Sequence, residues 1–172
     1  MESTALIREG VATLNSGERA GKYLVFQLGR EEFAIRVLKV REIMGVPKIT
    51  AVPQTPTCAK GVINLRGKVI PVVDLRLKFG LPDKEYTQRT CIIVVQVQGE
   101  RAPTLMGIVV DGVVEVLNLA AADIEDTPDF GDGTATPYLL GMAKVKGKVK
   151  ILLEIERVLA CQDLSALNAL VQ

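Results

Sequence analysis

Residues 61–75 read Gly-Val-Ile-Asn-Leu-Arg-Gly-Lys-Val-Ile-Pro-Val-Val-Asp-Leu, and this stretch decides the fold of the 172-residue chain. Two apolar runs flank the turn Arg66-Gly67-Lys68, and Gly67 can take the positive φ that such a tight turn demands. The stretch therefore predicts a β-hairpin. Arg66 sits at the edge of the turn beside apolar surface, where a bidentate guanidinium is more useful for recognition than for folding.

The same pattern recurs eighty residues later in the chain. Residues 61–69 align with residues 141–149, and residues 74–75 then fall on Glu154 and Ile155. An earlier set repeats as well: Ile35, Val37, Val40, Glu42 and Ile43 align with Ile108, Val110, Val113, Glu115 and Val116. Two hairpin-rich units recurring in the same order predict a duplicated small β-barrel. The alternative is that any two β-hairpins look alike.

The rest of the chain is consistent with an all-β fold that carries a few short helices. Strands are predicted at residues 23–28, 32–36, 90–97, 105–110, 113–117, 138–145 and 149–155, and surface loops at 82–89 and 127–136. Val37, Val40 and Ile43 recur every three residues, which predicts a short helix or helical turn. One face of that helix could leave apolar side chains at a groove, while Leu38 supplies core.

Composition argues against several classes of function. The chain has 21 basic and 20 acidic residues, so its net charge of +1 lacks the basic excess typical of nucleic-acid binders. One local basic run, Lys144, Lys146, Lys148 and Lys150, would lie on one face of a hairpin. This run keeps a small nucleic-acid-binding barrel open as an alternative, although no aromatic residue for base stacking lies within it.

Catalytic and metal chemistry have little support in the sequence. The chain has no histidine, and its three cysteines, Cys58, Cys91 and Cys161, form no C-x-x-C pair. We expect reduced thiols, no metal and no cofactor; an enzyme using Cys58 as nucleophile stays a weaker alternative. The sequence shows no signal peptide and no apolar run long enough to span a membrane, so we expect a soluble, cytoplasmic protein.

Three segments resemble the CheW family of bacterial chemotaxis coupling proteins. They are Tyr-Leu-Val-Phe-Gln-Leu at 23–28, Val-Leu-Lys-Val-Arg-Glu-Ile at 37–43, and the stretch at 61–75. The resemblance runs from about residue 23 to about residue 159. It implies two five-stranded SH3/OB-like β-barrel subdomains that face each other and exchange strands, within a domain at 22–160. A mobile tail would precede this domain at 1–21, and a short helix or tail would follow at 161–172.

The same resemblance implies a non-catalytic adaptor with two protein partners, and it names residues for each. The cytoplasmic tip of a chemoreceptor would bind a groove between the barrels, at Val37, Val40, Glu42, Ile43, Arg66 and Cys91. The regulatory domain of a CheA-type histidine kinase would bind near Ile49, Val52 and Gly61. An ion pair between Glu42 and Arg66 would fix the groove edge and present Arg66. We expect the protein to cluster at receptor arrays on the inner face of the membrane.

Overall fold

The computed structural model describes residues 16–99, 101–127 and 138–159. Its strands are β1 Gly21–Leu28, β2 Glu31–Arg36, β3 Val40–Gly45, β4 Ala59–Leu65, β5 Lys68–Asp74, β6 Cys91–Gln98, β7 Pro103–Val110, β8 Gly112–Leu119, β9 Ile124–Glu125, β10 Leu139–Val145 and β11 Lys148–Leu153. Its helices are α1 Ser16–Arg19, α2 Leu75–Lys78 and α3 Ile155–Leu159, with 3-10 turns at Val37–Lys39 and Ala121–Asp123. The predicted C-terminal helix, the predicted tail up to residue 15 and most of the predicted loop at 127–136 lie outside the described residues.

The strands form two sheets, and each sheet closes around its own core. The order β8-β1-β2-β11-β10-β9 makes one sheet, and β3-β6-β7-β5-β4 makes the other. In the first, Leu119 near one edge and Ile124 at the other join the same buried cluster around Tyr23 and Val25. Side chains from β3 and β4, at opposite edges of the second sheet, likewise share one cluster. We call these the first barrel and the second barrel.

The largest buried cluster lies between the two barrels. Successive residues of a strand point to opposite faces, so one strand can supply both cores. On β6, Ile92 and Val94 point into the second barrel, whereas Ile93 and Val95 point to the cluster between the barrels. On β1, which belongs to the first barrel, Phe26 also points to the cluster between the barrels. This inter-barrel core holds the two barrels together over a broad aliphatic contact.

The structure confirms two small β-barrels built from a sequence repeat. The first barrel takes β1 and β2 from the first half of the chain and β8, β9, β10 and β11 from the second, while the second barrel takes β3 to β7. Each barrel contains one parallel pair, β2 with β11 and β5 with β7. The strand exchange expected from the resemblance is therefore present, and sequence halves do not correspond to spatial halves.

The repeated hairpins match in backbone detail. Arg66 and Gly67 have φ of 51° and 86°, and Lys146 and Gly147 have 53° and 80°. Positive φ at both central residues defines a type I′ turn, whose twist suits a two-residue hairpin. Both hairpins also shift register at the same point, just before Gly61 and just before Gly141. Such agreement supports duplication over chance similarity of two hairpins.

The prediction of a short helix or helical turn over residues 37–43 holds only for a single turn at its start. A single 3-10 turn covers Val37–Lys39, and the chain then enters β3, whose residues alternate between half-buried and exposed. β3 pairs with β6, with Ile43 opposite Ile93. The three-residue spacing of Val37, Val40 and Ile43 was ambiguous because β-branched residues favour strands. Residues 40–45 form a strand because they pair with the edge of β6.

The predicted basic strip is also wrong. Lys146 occupies the turn, and the strand beyond it reverses direction. Lys150 is only 4% exposed and forms an ion pair with Glu32 on the adjacent strand β2. Lys148 reaches the same carboxylate, with Nζ 3.9 Å from Oε2. Two of the four lysines, Lys148 and Lys150, therefore form ion pairs with Glu32 within the first sheet. This observation counts against the nucleic-acid alternative.

Candidate protein-binding surfaces

Glu42 and Arg66 form the predicted ion pair on the second barrel. Glu42 lies on β3 and Arg66 in the β4–β5 turn, 24 residues apart in sequence. Nη2 of Arg66 lies 2.6 Å from Oε1 of Glu42, and Nη1 lies 3.3 Å from Oε2. This two-point geometry is the one that guanidinium and carboxylate groups match best. It joins the two edge strands of the sheet, β3 and β4, across the closure of the barrel.

The electrostatics of this pair leave Arg66 at the surface. The hydrogen bond from Arg66, together with its charge, lowers the pKa of Glu42 below its ordinary value. The side chain of Arg66 is 73% exposed, against 30% for Glu42. Exposed pairs contribute little to folding, because water screens the charges and ordering long side chains costs entropy. The carboxylate thus holds the guanidinium in one orientation without removing it from solvent.

Apolar side chains adjoin the start of β3. Val37 and Val40 are half-buried and pack against the inter-barrel core, so each still offers part of its surface to a partner. Leu38, which was expected to supply core, is instead 79% exposed. The 3-10 turn explains this, since it directs Leu38 away from both sheets while Val37 packs against the inter-barrel core. Leu38 is therefore a surface residue that sequence reasoning missed.

Ile43 and Cys91 lie farther along the same strand pair. Ile43 is 45% exposed on the outer face of β3. Cys91 begins β6 opposite Gly45 and is half-buried against the inter-barrel core. Burial raises the pKa of its thiol, so the sulfur remains protonated at neutral pH. The structure thus places five of the six predicted receptor residues on β3, its preceding turn and β6, with Arg66 attached through Glu42.

The predicted kinase residues cluster around a close backbone approach. Gly61 has φ of 139°, and a Cβ added there would lie 2.0 Å from the carbonyl oxygen of Thr50. The backbone of Thr50 forms two hydrogen bonds with Val62, both of 2.9 Å. Only glycine at position 61 leaves room for the backbone of residue 50. Ile49 packs against the second barrel's core, and Val52 is half-buried.

The first barrel carries a matching apolar surface that sequence reasoning did not single out. Val116 is 56% exposed and Val149 is 45% exposed. By the repeat they are the equivalents of Ile43 and Val69, which are 45% and 50% exposed on the second barrel. The alignment of residues 35–43 with 108–116 contained this signal. The two surfaces differ in their cationic side chain, because the first barrel has Lys146 where the second barrel has Arg66.

The described residues give little support to catalysis. Cys58 is 7% exposed and packs in the inter-barrel core, so a dissolved substrate could not reach its sulfur without local opening. Across residues 16–99, 101–127 and 138–159, no group of three acidic or cysteine side chains is placed to hold a metal ion. Over the same ranges, every helix is too short to cross a bilayer.

Comparison with known proteins gives a consistent result. A model of the CheW-like domain matches residues 22–162. The chain is 40% identical over 162 residues to chemotaxis protein CheW of Klebsiella aerogenes, spanning 92% of this chain and 95% of that protein. It is 33% identical over 153 residues to chemotaxis protein CheW of Rhizobium meliloti, spanning 89% and 95%.

A solved structure shares the fold at a similar level of identity. It is the crystal structure of the scaffolding protein TtCheW from Thermoanaerobacter tengcongensis, with a TM-score of 0.72 and 31% sequence identity. The match covers 84% of this chain and 95% of that one. The family model spans most of the chain, and two relatives above 30% identity cover nearly all of it. The chain therefore belongs to the CheW family.

Proposed function

We propose that the chain is a non-catalytic scaffold of a chemotaxis pathway that couples chemoreceptors to a CheA-type histidine kinase. The observation that carries this proposal is the exposed Arg66 held by Glu42 of β3, the strand that also carries the exposed Ile43. An oriented cation next to an aliphatic patch is a common anchor for a partner helix. The names of the relatives support the pathway.

We propose that the protein acts by holding two partners in a fixed geometry. The receptor tip binds the surface formed by the turn before β3, β3 itself, the start of β6 and Arg66. The kinase regulatory domain binds the segment around residues 49–52, which Gly61 allows to pack against β4. Because one rigid body would hold both partners, a change in receptor state could bias kinase activity without chemistry in the scaffold. The protein would then accumulate at receptor arrays on the inner membrane face.

A charge-reversal experiment tests the assignment of Arg66. In a reconstituted assay with receptor-containing membranes and the kinase, Arg66→Glu should reduce receptor control of kinase activity tenfold or more. Circular dichroism and the unfolding midpoint should match the wild type. Lys146→Glu is the matched control, since it makes the same charge change at the equivalent turn of the repeat and should couple normally.

The double variant Glu42→Arg with Arg66→Glu separates recognition from structure. It restores an ion pair but places the cation on β3 rather than in the turn. If Arg66 contacts the partner, the double variant should remain uncoupled. Full recovery of coupling in the double variant, or normal coupling by Arg66→Glu alone, would show that Arg66 does not contact the receptor and has only a structural role.

A further inference from the structure

Arg41 lies at an irregularity in β3, beside the turn that carries Leu38. The pairing of β3 with β6 shifts register between Val40 and Glu42, so Arg41 has no residue opposite it on β6. Such a β-bulge adds one residue to a strand and turns a side chain to a new direction. Arg41 is exposed. The bulge therefore presents a cation at the surface, next in sequence to the carboxylate that holds Arg66.

Three neutral oxygens hold the guanidinium of Arg41 in place. Its Nε donates a hydrogen bond of 2.8 Å to Oε1 of Gln96 on β6. Its Nη1 donates to the carbonyl oxygens of Leu38 and Val40, at 3.1 and 3.4 Å. A carboxylate holds Arg66 and offsets its charge, whereas amide and carbonyl oxygens carry no formal charge. The three contacts therefore orient Arg41 and do not neutralise it.

A small cavity of about 310 Å³ opens beside Arg41. Two of its charged lining residues, Lys39 and Glu156, form an ion pair with each other. Glu156 also accepts a hydrogen bond of 3.1 Å from the backbone N–H of Gln98. The cavity therefore leaves room beside Arg41 for a side chain from a partner. Its other lining residues are Arg36, Leu38, Gln96, Val97 and Pro103.

We propose that Arg41 binds a carboxylate side chain of the receptor tip and is a second cationic contact of the receptor surface. This inference rests on the proposed function and names the chemistry of the partner at that surface. A carboxylate gives Arg41 the charge-assisted hydrogen bonds that its neutral acceptors do not supply. Because the guanidinium is already oriented, little side-chain entropy is lost on binding. Leu38 is exposed and three residues away, so a helix with an acidic and an apolar residue one turn apart can contact both side chains.

Replacement of Arg41 by glutamine removes its charge and keeps hydrogen-bonding groups. Titration with a purified chemoreceptor-tip fragment should show at least tenfold weaker binding by Arg41→Gln than by the wild type, with a weaker dependence on salt concentration. Binding of the kinase regulatory domain and the unfolding midpoint should be unchanged. Arg30→Gln is the matched control, since it removes the same charge from an exposed arginine in the β1–β2 turn, and it should bind the fragment within twofold of wild type. Undiminished fragment binding by Arg41→Gln, or an equal loss in Arg30→Gln, would overturn the proposal.

A charge exchange identifies the partner group. Arg41→Glu should abolish binding of the fragment, and one fragment variant with an acidic residue changed to arginine should restore it. Failure of every such fragment variant to restore binding would also overturn the contact. If Arg66→Glu weakens fragment binding and Arg41→Gln does not, this inference fails and the proposed function stands. If the wild-type chain does not bind the fragment, the proposed function fails as well.

Discussion

Nη1 of Arg76 lies 2.7 Å from Oδ2 of Asp111, and the same oxygen accepts a hydrogen bond of 2.7 Å from the backbone N–H of Gly29. Arg76 is on α2, at the end of the second barrel's β5, whereas Gly29 is in a turn of the first barrel. The rest of the guanidinium donates to the carbonyl oxygen of Pro82, at 3.2 and 3.0 Å. One ion pair thus joins both barrels and the loop between β5 and β6.

Breaking this ion pair should destabilise the whole domain. The side chains of Arg76 and Asp111 are 10% and 19% exposed, so removing one partner leaves the other charge poorly solvated. We expect Arg76→Met to lower the free energy of unfolding by about 3 kcal/mol, measured by urea denaturation. Arg66→Met, which breaks the exposed pair with Glu42, is the control and should hardly move the midpoint. Equal midpoints for the two variants would contradict this account of the inter-barrel connection.

Two glycines of the same hairpin should differ sharply in their tolerance of alanine. At Gly67, with φ of 86°, an added Cβ would meet nothing within 4 Å, so Gly67→Ala should cost only backbone strain, about 1–2 kcal/mol. At Gly61 a Cβ would also overlap the carbonyl of Thr50, and Gly61→Ala should cost at least ~3 kcal/mol. Urea midpoints measure both. Similar losses at the two sites would show that residues 50–51 move aside freely.

Gly61 also illustrates what the sequence could reveal. The hairpin at 61–75, its copy at 141–149 and the strand segments around them were predictable because turn chemistry and alternation are local. The need for glycine at residue 61 could be suspected from the same reasoning. The partner that crowds it, Thr50, could not be identified, because it approaches through an isolated bridge between distant segments.

Pairing between segments distant in sequence accounts for the structural features that could not be predicted from the residues alone. Residues 37–43 became a turn and a strand because β6 offered an edge, and nothing within those seven residues records that edge. The sequence predicted a surface position for Lys150, but the parallel pairing of β11 with β2 places Glu32 opposite it. Only the resemblance indicated that Glu42 and Arg66 belong together.

The protonation of Glu42 should report on its contact with Arg66. Because the hydrogen bond lowers the pKa of Glu42 in the folded state below its ordinary value of 4.5, the pair stabilises the fold above that value. This contribution is lost as pH falls through the folded-state pKa. Carboxyl-carbon NMR titration should find a depressed pKa for Glu42 that rises toward its ordinary value in Arg66→Met. An unchanged pKa in the variant would contradict the ion pair in solution.

Leu38 offers a test of the receptor surface that spares the fold. Because this side chain is 79% exposed, Leu38→Asp should change the free energy of unfolding by less than ~0.5 kcal/mol. If the surface beside β3 is the receptor contact, the variant should bind a receptor-tip fragment at least tenfold more weakly. Val149→Asp, on the other barrel, is the control and should bind that fragment normally. Undiminished binding by Leu38→Asp would place the receptor elsewhere.

The proposed function requires that one chain hold two proteins at the same time, and analytical ultracentrifugation can measure this directly. The purified chain would be mixed with a labelled receptor-tip fragment and a differently labelled kinase regulatory domain. We predict a species in which both labels sediment together with the chain, and loss of the receptor label alone in Arg66→Glu. Displacement of one partner by the other, or failure of either to bind, would contradict the scaffold account.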